Sequence, residues 1–598
     1  MGRYQSFDVM DCRDQVAERV AALRKLFATH KIDGYLVPRG DEFRGEYVPE
    51  HAERLAYITG FTGSWGLSLI LKDSADLYID SRYKIQAPEQ TDTDIFDVIC
   101  VPEISLDTRL AEKIGQNHRI GFDPMLFSRK EIARFEKTGA IFVPVSENLI
   151  DLSHGEALPE IRSEILIHPI EIAGASFTEK KKQIIDILQK KNCDALFIVL
   201  PENICWLLNL RGNDVPHTPF ILSRAIVTIE GKFYWYVGKE RVTPALKEHL
   251  GPDVICRDSD DIFADIKMFH NQKILYDPID TAFAIEKALQ DNGVKLISDD
   301  DPILLLKAIK NNAEQAATRK AHIRDAVAMI KFAHWFSTQQ QDFTEIDAVK
   351  QLEDFRSEAP ELKDISFDTI SGSGANGAIV HYRVSHKSDK IIAESDLFLC
   401  DSGGQYLDGT TDITRVFIRG KATAEQKTRY TQVLKGHLAV ARALFPIGTT
   451  GAVLDVLARA PLWQAGIDFG HGTGHGVGLY LSVHEGPQGI SSRSKVKLEP
   501  GMLLSNEPGY YKAGEFGIRI ENVELIVHKG IPEDGEKNML GFETLTLVPY
   551  ERKLIDKSLL SREEIHQIDT YHQRISDSVI PLLDAERASF LKDQCAPL

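Results

Sequence analysis

Residues 401–415 read DSGGQYLDGTTDITR and set three aspartates between two apolar runs, Leu397–Cys400 and Val416–Ile418. An ionised carboxylate in an apolar setting costs several kcal/mol unless a cation compensates it. Side chains alternate along a strand. Asp401 therefore shares a face with Leu399 and Leu397, and Asp412 shares one with Thr414, Val416 and Ile418. Asp408-Gly409 reads as a turn pair, which makes Asp408 structural. A two-residue hairpin there sets Asp412 opposite Gln405. A kink at Gly403-Gly404 is needed to bring it to Asp401, and the register stays open at this stage.

Other stretches add to these acids. HGTGHGVGLYLSVHEGP, residues 471–487, holds three histidines and five glycines. A lone histidine is more often a core residue, but three in a backbone that can approach closely point to a site. Glu507 in SNEPGYY ends the strand GMLLS and alone is an ordinary loop acid. In FGIRIENVELIV, residues 516–527, Glu521 shares a face with Arg519, Val523, Leu525 and Val527, with an Arg519–Glu521 ion pair as the plainer alternative. NGAIVHYR places His381 after another apolar run. Four strand-end carboxylates and one glycine-flanked imidazole suggest a two-metal site. Its mostly oxygen donors suit Mn2+, with Co2+ or Zn2+ as alternatives. Two ions about 3.5–4 Å apart can share a hydroxide and activate it near neutral pH.

The elements that must position these residues span a long chain. With 598 residues, 43% apolar and 26% charged, it is an ordinary globular mix too large for one core. The net charge of −18 argues against nucleic acid as a partner. No apolar run approaches the ~18 residues of a membrane span, and the N-terminus lacks a secretory core. Seven scattered cysteines without a CxxC pair indicate a reducing, cytoplasmic setting. Gly2–Ser6 and Cys595-Ala-Pro-Leu match loose lipidation patterns without a basic neighbourhood, and carry no weight.

An internal echo organises the first half. QVAERVAALRKLFATHK leads through Ile32-Asp33-Gly34 into YLVP, and EKKKQIIDILQKKNCDALFIVLP repeats the helix, aspartate and strand about 160 residues on. Duplicated α/β domains follow, at 1–160 and 161–310, with junctions in the polar stretches 151–175 and 297–312. A helical pattern then runs from Ile303 to Phe336. Thr344-x-x-Asp347 and Thr423-x-x-Gln426 resemble capping boxes. From 311 to 598, helix signals alternate with long alternating strands, an α+β pattern. The tail from about 560 reads as amphipathic helix.

The ordered set DSGGQYLDGTTDITR, HGTGHGVG, VHEGP, NEPGYY and GIRIENV resembles the pita-bread metallopeptidases, above all the cytosolic three-domain Xaa-Pro aminopeptidases. The resemblance covers about 300–550 closely and implies a C-terminal pita-bread catalytic domain preceded by two similar α/β domains. It implies metal ligands at Asp401, Asp412, His475, Glu507 and Glu521, with Asp412 and Glu521 bridging both ions. It gives Glu507 the proton transfers, His381 and His484 the scissile carbonyl, and His471 the proline pocket. Arg519 would orient a ligand carboxylate. The implied reaction is hydrolysis of the first peptide bond of peptides with proline second. The implied assembly is a homodimer through the catalytic domain, with the tail beyond 550 a candidate contact. The rivals are a prolidase acting on Xaa-Pro dipeptides and a metal-free pita-bread module that binds a peptide or protein. The complete ligand set disfavours the second, and a creatinase-like hydrolase with it.

Overall fold

A computed structural model describes residues 4–8, 13–101, 103–154 and 162–598. Gly2, Cys12 and the boundary expected at 160–161 lie outside them. The chain divides into two compact units, Met10–Leu304 and Leu305–Leu598, the second including the N-terminal residues before Met10.

The first unit builds one plan twice. Strands β1 (Gly34–Pro38), β2 (Leu67–Leu71), β3 (Ala75–Ile79), β4 (Asp97–Cys100), β5 (Arg119–Phe122) and β6 (Ile141–Pro144) lie in the order β4-β3-β2-β1-β5-β6. Strands β7 (Ala195–Ile198), β8 (Arg224–Thr228), β9 (Phe233–Tyr236), β10 (Val254–Arg257), β11 (Lys273–Tyr276) and β12 (Lys295–Ser298) lie in the order β10-β9-β8-β7-β11-β12. In both, the first strand is antiparallel to the second and parallel to the fifth. Helices α1 (Val16–His30) and α2 (Phe177–Lys191) lead in, each ending on a residue in the left-handed region, Lys31 and Asn192, with φ 54°. The echoed aspartate then has one task in both copies. Asp33 accepts from the Arg119 N–H at 3.0 Å, and Asp194 from the Lys273 N–H at 2.7 Å. Each pins the first residue of the neighbouring parallel strand.

In the second unit the helical pattern from Ile303 is broken, because Asn311 closes a capping box with Glu314. The break separates α3 (Pro302–Ala308) from α4 (Asn312–Thr338), and the Lys310 N–H between them donates to Gly501 O at 3.0 Å. Both capping boxes, Thr344 with Asp347 and Thr423 with Gln426, form. The strands that matter for the site are β13 (Phe398–Ser402), β14 (Ile413–Phe417), β15 (Gly474–Gly476), β16 (Glu485–Ile490), β17 (Leu503–Asn506), β18 (Phe516–Arg519) and β19 (Asn522–Gly530). Strands β16, β15, β17 and β19 are consecutive in an antiparallel six-stranded sheet. Helices α5 (Ala424–Ala441) and α6 (Gly451–Trp463) back it: Leu434, Leu438 and Leu454 share a core with Leu504 and Ile526. The alternate residues Leu503, Val523 and Leu525 point the other way, toward the site. The fold is α+β, with the second unit preceded by two similar α/β domains.

Two local readings are corrected. The hairpin turn is Leu407-Asp408, one residue earlier than the Asp408-Gly409 pair, since Tyr406 faces Gly409 and Gln405 faces Thr410. The run 516–527 is two strands in different sheets, interrupted at Ile520-Glu521. The tail is helical at Arg562–Val579 and Ala585–Gln594, and Ile575, Val579, Leu591 and Cys595 are buried in one core. No helix among the described residues is long and apolar enough to cross a membrane.

Candidate metal centre

The shifted turn settles how Asp401 and Asp412 meet. Asp401 is directly opposite Thr414 across β13 and β14. Opposed residues share a face, and so do alternate residues along a strand. Asp412, two before Thr414, is therefore a diagonal neighbour of Asp401 on the same face. The same register sets Asp412 opposite Gly403, where a Cβ would stand 2.0 Å from Thr411 O. Asp408 is structural and pairs with Arg324 at 2.8 Å.

His475 stands on β15. Its Nδ1 lies 2.9 Å from Gly476 O, which leaves Nε2 free to face the acids. That Nε2 is 3.4 Å from Asp412 Oδ2 and 3.4 Å from Glu507 Oε1. The preceding Gly474 is required, since a Cβ would lie 1.9 Å from Ser505 O on β17. Glu507 follows β17 directly. Its N–H donates to Thr473 O at 2.8 Å, and its Oε1 accepts from Ser505 Oγ at 3.1 Å. Glu521 occupies the break between β18 and β19. Its N–H donates to Thr414 O, and its Oε2 accepts from Thr414 Oγ1 at 2.7 Å. Asp412, His475 and Glu521 each offer a ligand atom, all within 4.8 Å of one another.

Arg519 does not pair with Glu521 but with Asp401, whose Oδ2 accepts from Nη2. Asp401 Oδ1 is buried with no hydrogen-bond partner. Arg519 also donates from Nε to Thr414 Oγ1 at 3.1 Å and from Nη1 to Tyr511 Oη at 2.7 Å. Tyr511 Oη in turn lies 2.8 Å from His471 Nε2. His471 is half-buried between the rings of Phe469 and Tyr511. The His484 ring stands edge-on to His475, centroids 4.3 Å apart. Its neighbour Glu485 is fully buried and takes the ammonium groups of Lys307, at 3.2 Å, and Lys310. His381 is half-buried in the loop after the turn Gly374–Ala378, next to Val380, whose carbonyl accepts from Arg519 Nη1 at 3.4 Å.

Asp412 and Glu507 thus meet at His475, Asp401 pairs with Arg519, Thr414 links Arg519 to Glu521, His484 joins through His475, and His471 through Tyr511. His381 lies beside Val380, which bonds Arg519. Sequence reasoning missed Tyr511, Thr414 and Ser505. The signals were present: Tyr511 closes NEPGYY, and Thr414 alternates with Asp412.

Left to the protein's own charges, the site is short of positive charge. Burial raises the Asp401 carboxyl to about 6, with Arg519 pulling down and Asp412 and Glu507 pushing up. Burial lifts Glu521 well above the carboxylate range, and Asp412, Glu507 and Asp401 add to it. Glu507 is raised by burial, partly offset by His475 and Arg519. Burial works against the His475 imidazolium, yet the Asp412 hydrogen bond and the Glu507 charge hold it at about 9. Four carboxylates against one guanidinium, an orphaned buried oxygen on Asp401 and a converging imidazole fit divalent cations that prefer oxygen.

Known proteins resemble this chain along nearly its whole length. Residues 316–528 match the model of metallopeptidase family M24, and 538–598 match the C-terminal region of peptidase M24. Residues 19–153 and 158–314 each match the creatinase/prolidase N-terminal domain. A probable Xaa-Pro aminopeptidase P from Laccaria bicolor is 36% identical over 97% of this chain and 93% of its own length. A crystal structure of X-prolyl aminopeptidase from Caenorhabditis elegans, described as a cytosolic enzyme with a di-nuclear active site, superposes with a TM-score of 0.94. It is 31% identical and covers 98% of this chain and 100% of that one. A prolidase from Thermococcus sibiricus, 26% identical with a TM-score of 0.52, covers 63% of this chain and 98% of its own.

Proposed function

The chain belongs to metallopeptidase family M24, with the Xaa-Pro aminopeptidases P, and from that premise we propose how its residues work. It is a dimetal aminopeptidase that hydrolyses the first peptide bond of peptides with proline second. The observation that carries this reading is the cluster of Asp412, His475 and Glu521 ligand atoms within 4.8 Å, in a chain matching such enzymes nearly end to end.

Asp401, Asp412, His475, Glu507 and Glu521 would hold the two ions, and the oxygen-rich donor set favours Mn2+. When bound, the ions supply the positive charge that makes water a nucleophile near neutral pH. Arg519 occupies Asp401 Oδ2, and the orphaned Oδ1 would be the atom left to ligate. Glu507 keeps 18% of its side chain exposed, more than Asp401 at 10% or Asp412 at 4%. It takes the proton of the attacking water and returns it to the departing proline nitrogen. His484 and His381 hydrogen-bond the scissile carbonyl and stabilise its developing charge. His471, with Phe469 and Tyr511, lines the proline pocket, and the free α-amine sits near Asp401. The bond cleaved has no N–H, so recognition rests on the carbonyl and the ring.

The assay that tests this uses Arg-Pro-Pro against an Xaa-Pro dipeptide, with manganese and with a chelator. Release of arginine from the tripeptide, lost on chelation, is the expected result. Cleavage of the dipeptide alone would make the enzyme a prolidase, and turnover of neither would leave the binding module.

The enzyme is further proposed to be a cytoplasmic homodimer joined through the catalytic domain. The six cysteines among the described residues are free thiols, which suits a reducing compartment. The helical tail uses much of its apolar surface in its own core. Helix α6, by contrast, exposes Val453, Val456, Leu457 and Trp463 at 62, 47, 37 and 48%. Their helical spacing makes one outward stripe, continued by exposed Leu444 and Ile447, and such a patch marks an interface. Val453→Glu together with Val456→Glu should convert a dimer to a monomer in light scattering. A dimer unmoved by the pair would place the contact elsewhere.

A further inference from the structure

His437, toward the C-terminal end of α5, is fully buried behind the metal centre. Its Nδ1 is 3.0 Å from Asn506 O, its Nε2 is 3.0 Å from Asn522 Nδ2, and its own carbonyl accepts from Asn506 Nδ2 at 3.0 Å. Asn506 and Asn522 face each other across β17 and β19. Asn506 immediately precedes Glu507, and Asn522 immediately follows Glu521. One imidazole thus spans the two strand ends that present two of the carboxylates.

The Asn522 amide is oriented by Arg415, and the imidazole also meets the Ile520 carbonyl. Asn522 Oδ1 accepts from Arg415 Nη2 at 2.8 Å, so the Asn522 amide nitrogen is the donor toward His437. Nε2 then faces the Asn522 amide donor, and Nδ1 faces the Asn506 carbonyl. Burial and the nearby Arg415 charge push the imidazole down to about 3, which keeps it neutral. Arg415 completes the frame by donating from Nη1 to Glu521 O at 2.7 Å and Thr414 O at 2.9 Å. A residue needed only to fill a helix–sheet core could be leucine. This position instead asks for a donor on one side and an acceptor on the other.

We propose that His437 is a positioning residue for the metal centre, its imidazole fixing the separation of the strand ends that carry Glu507 and Glu521. The inference rests on the dimetal reading of that site and names a residue behind the ligands that sets their spacing. Partners behind metal ligands typically cost about 10–100-fold in metal affinity when lost.

The test is manganese titration of the full chain by calorimetry, beside kcat at limiting and saturating manganese. Leucine makes neither link. Glutamine can hold Asn522 as Nε2 does, and asparagine can reach Asn506 as Nδ1 does. His437→Leu should weaken manganese binding by about 10–100-fold, with activity partly restored at saturating metal. His437→Gln and His437→Asn should fall between leucine and wild type. Wild-type manganese affinity in a folded His437→Leu overturns the proposal, and so do Gln and Asn variants as weak as Leu. Should the leucine variant not fold, wild-type affinity in both amide variants overturns it equally. A wild-type chain that binds no manganese overturns the dimetal reading itself, so the two failures are distinguishable.

Discussion

Replacing Glu521 or Asp412 with alanine should abolish Xaa-Pro hydrolysis, lowering kcat/KM by at least ~1,000-fold, about 4 kcal/mol of transition-state stabilisation. The size follows from placement. Glu521 is 1% exposed, and its Oε2 is held by Thr414, the residue directly opposite Asp401. Asp412 reaches across to His475 Nε2. Each side chain is therefore flanked by other members of the cluster, and losing it disturbs the hold on both ions. The same geometry predicts an opposite effect on the chelated protein. Asp412, Glu507 and Asp401 all push the Glu521 carboxyl up, so its removal relieves repulsion among buried like charges. Chelated Glu521→Ala should melt no lower than chelated wild type, while its activity is gone. Retained turnover in either variant would sink the ligand assignment. Inactivity accompanied by collapse of the chelated fold would show a structural role instead.

How much of this could be read from the chain depends on range. The acids at strand ends, the glycine-flanked histidines and both capping boxes are short-range patterns, and each is where the sequence suggests. The echo of helix, aspartate and strand was legible because it repeats as one short ordered segment, in which Asp33 and Asp194 do the same work. What depends on pairing between distant segments was not legible. The turn at Leu407-Asp408 is one residue off the Asp-Gly signal, because Gly403 must pass under Thr411 O. That single step decides whether Asp412 stands opposite Gln405 or opposite Gly403, two residues from Asp401. The interruption at Ile520-Glu521 hides in an unbroken alternating pattern. It exists because Glu521 N–H bonds Thr414 O, a residue more than a hundred positions away. Arg519 could be placed on the Glu521 face, but not across the site on Asp401. His437 sits in an ordinary helical stretch, where no spacing rule separates it from a core histidine.

Removing the ions should destabilise the protein, and more so as pH rises. The sign follows from the raised carboxyls. In the unfolded chain Asp401 and Glu521 ionise in the ordinary range near 4. In the chelated fold Asp401 ionises at about 6, and Glu521 higher still, both chiefly through burial. Above pH ~4 the chelated fold therefore holds more protons than the unfolded chain, and its stability falls as pH rises through those folded values. His475 acts in the same direction. Despite the opposing effect of burial, its pKa is raised to about 9 by Asp412 and Glu507, so its contribution is present at low pH and lost as pH rises through that value. In the loaded protein the carboxylates are ionised ligands and the imidazole is neutral, so protons compete with metal only toward acid. Each unit of pKa shift corresponds to ~1.4 kcal/mol. The Asp401 shift alone is then worth roughly 2–3 kcal/mol, enough to move a melting midpoint by several degrees. Scanning calorimetry with manganese or a chelator should show Tm higher with the metal at every pH. The gap should widen from pH 6 to pH 8. A gap that stays constant or narrows over that interval would mean these carboxylates are not what the ions neutralise.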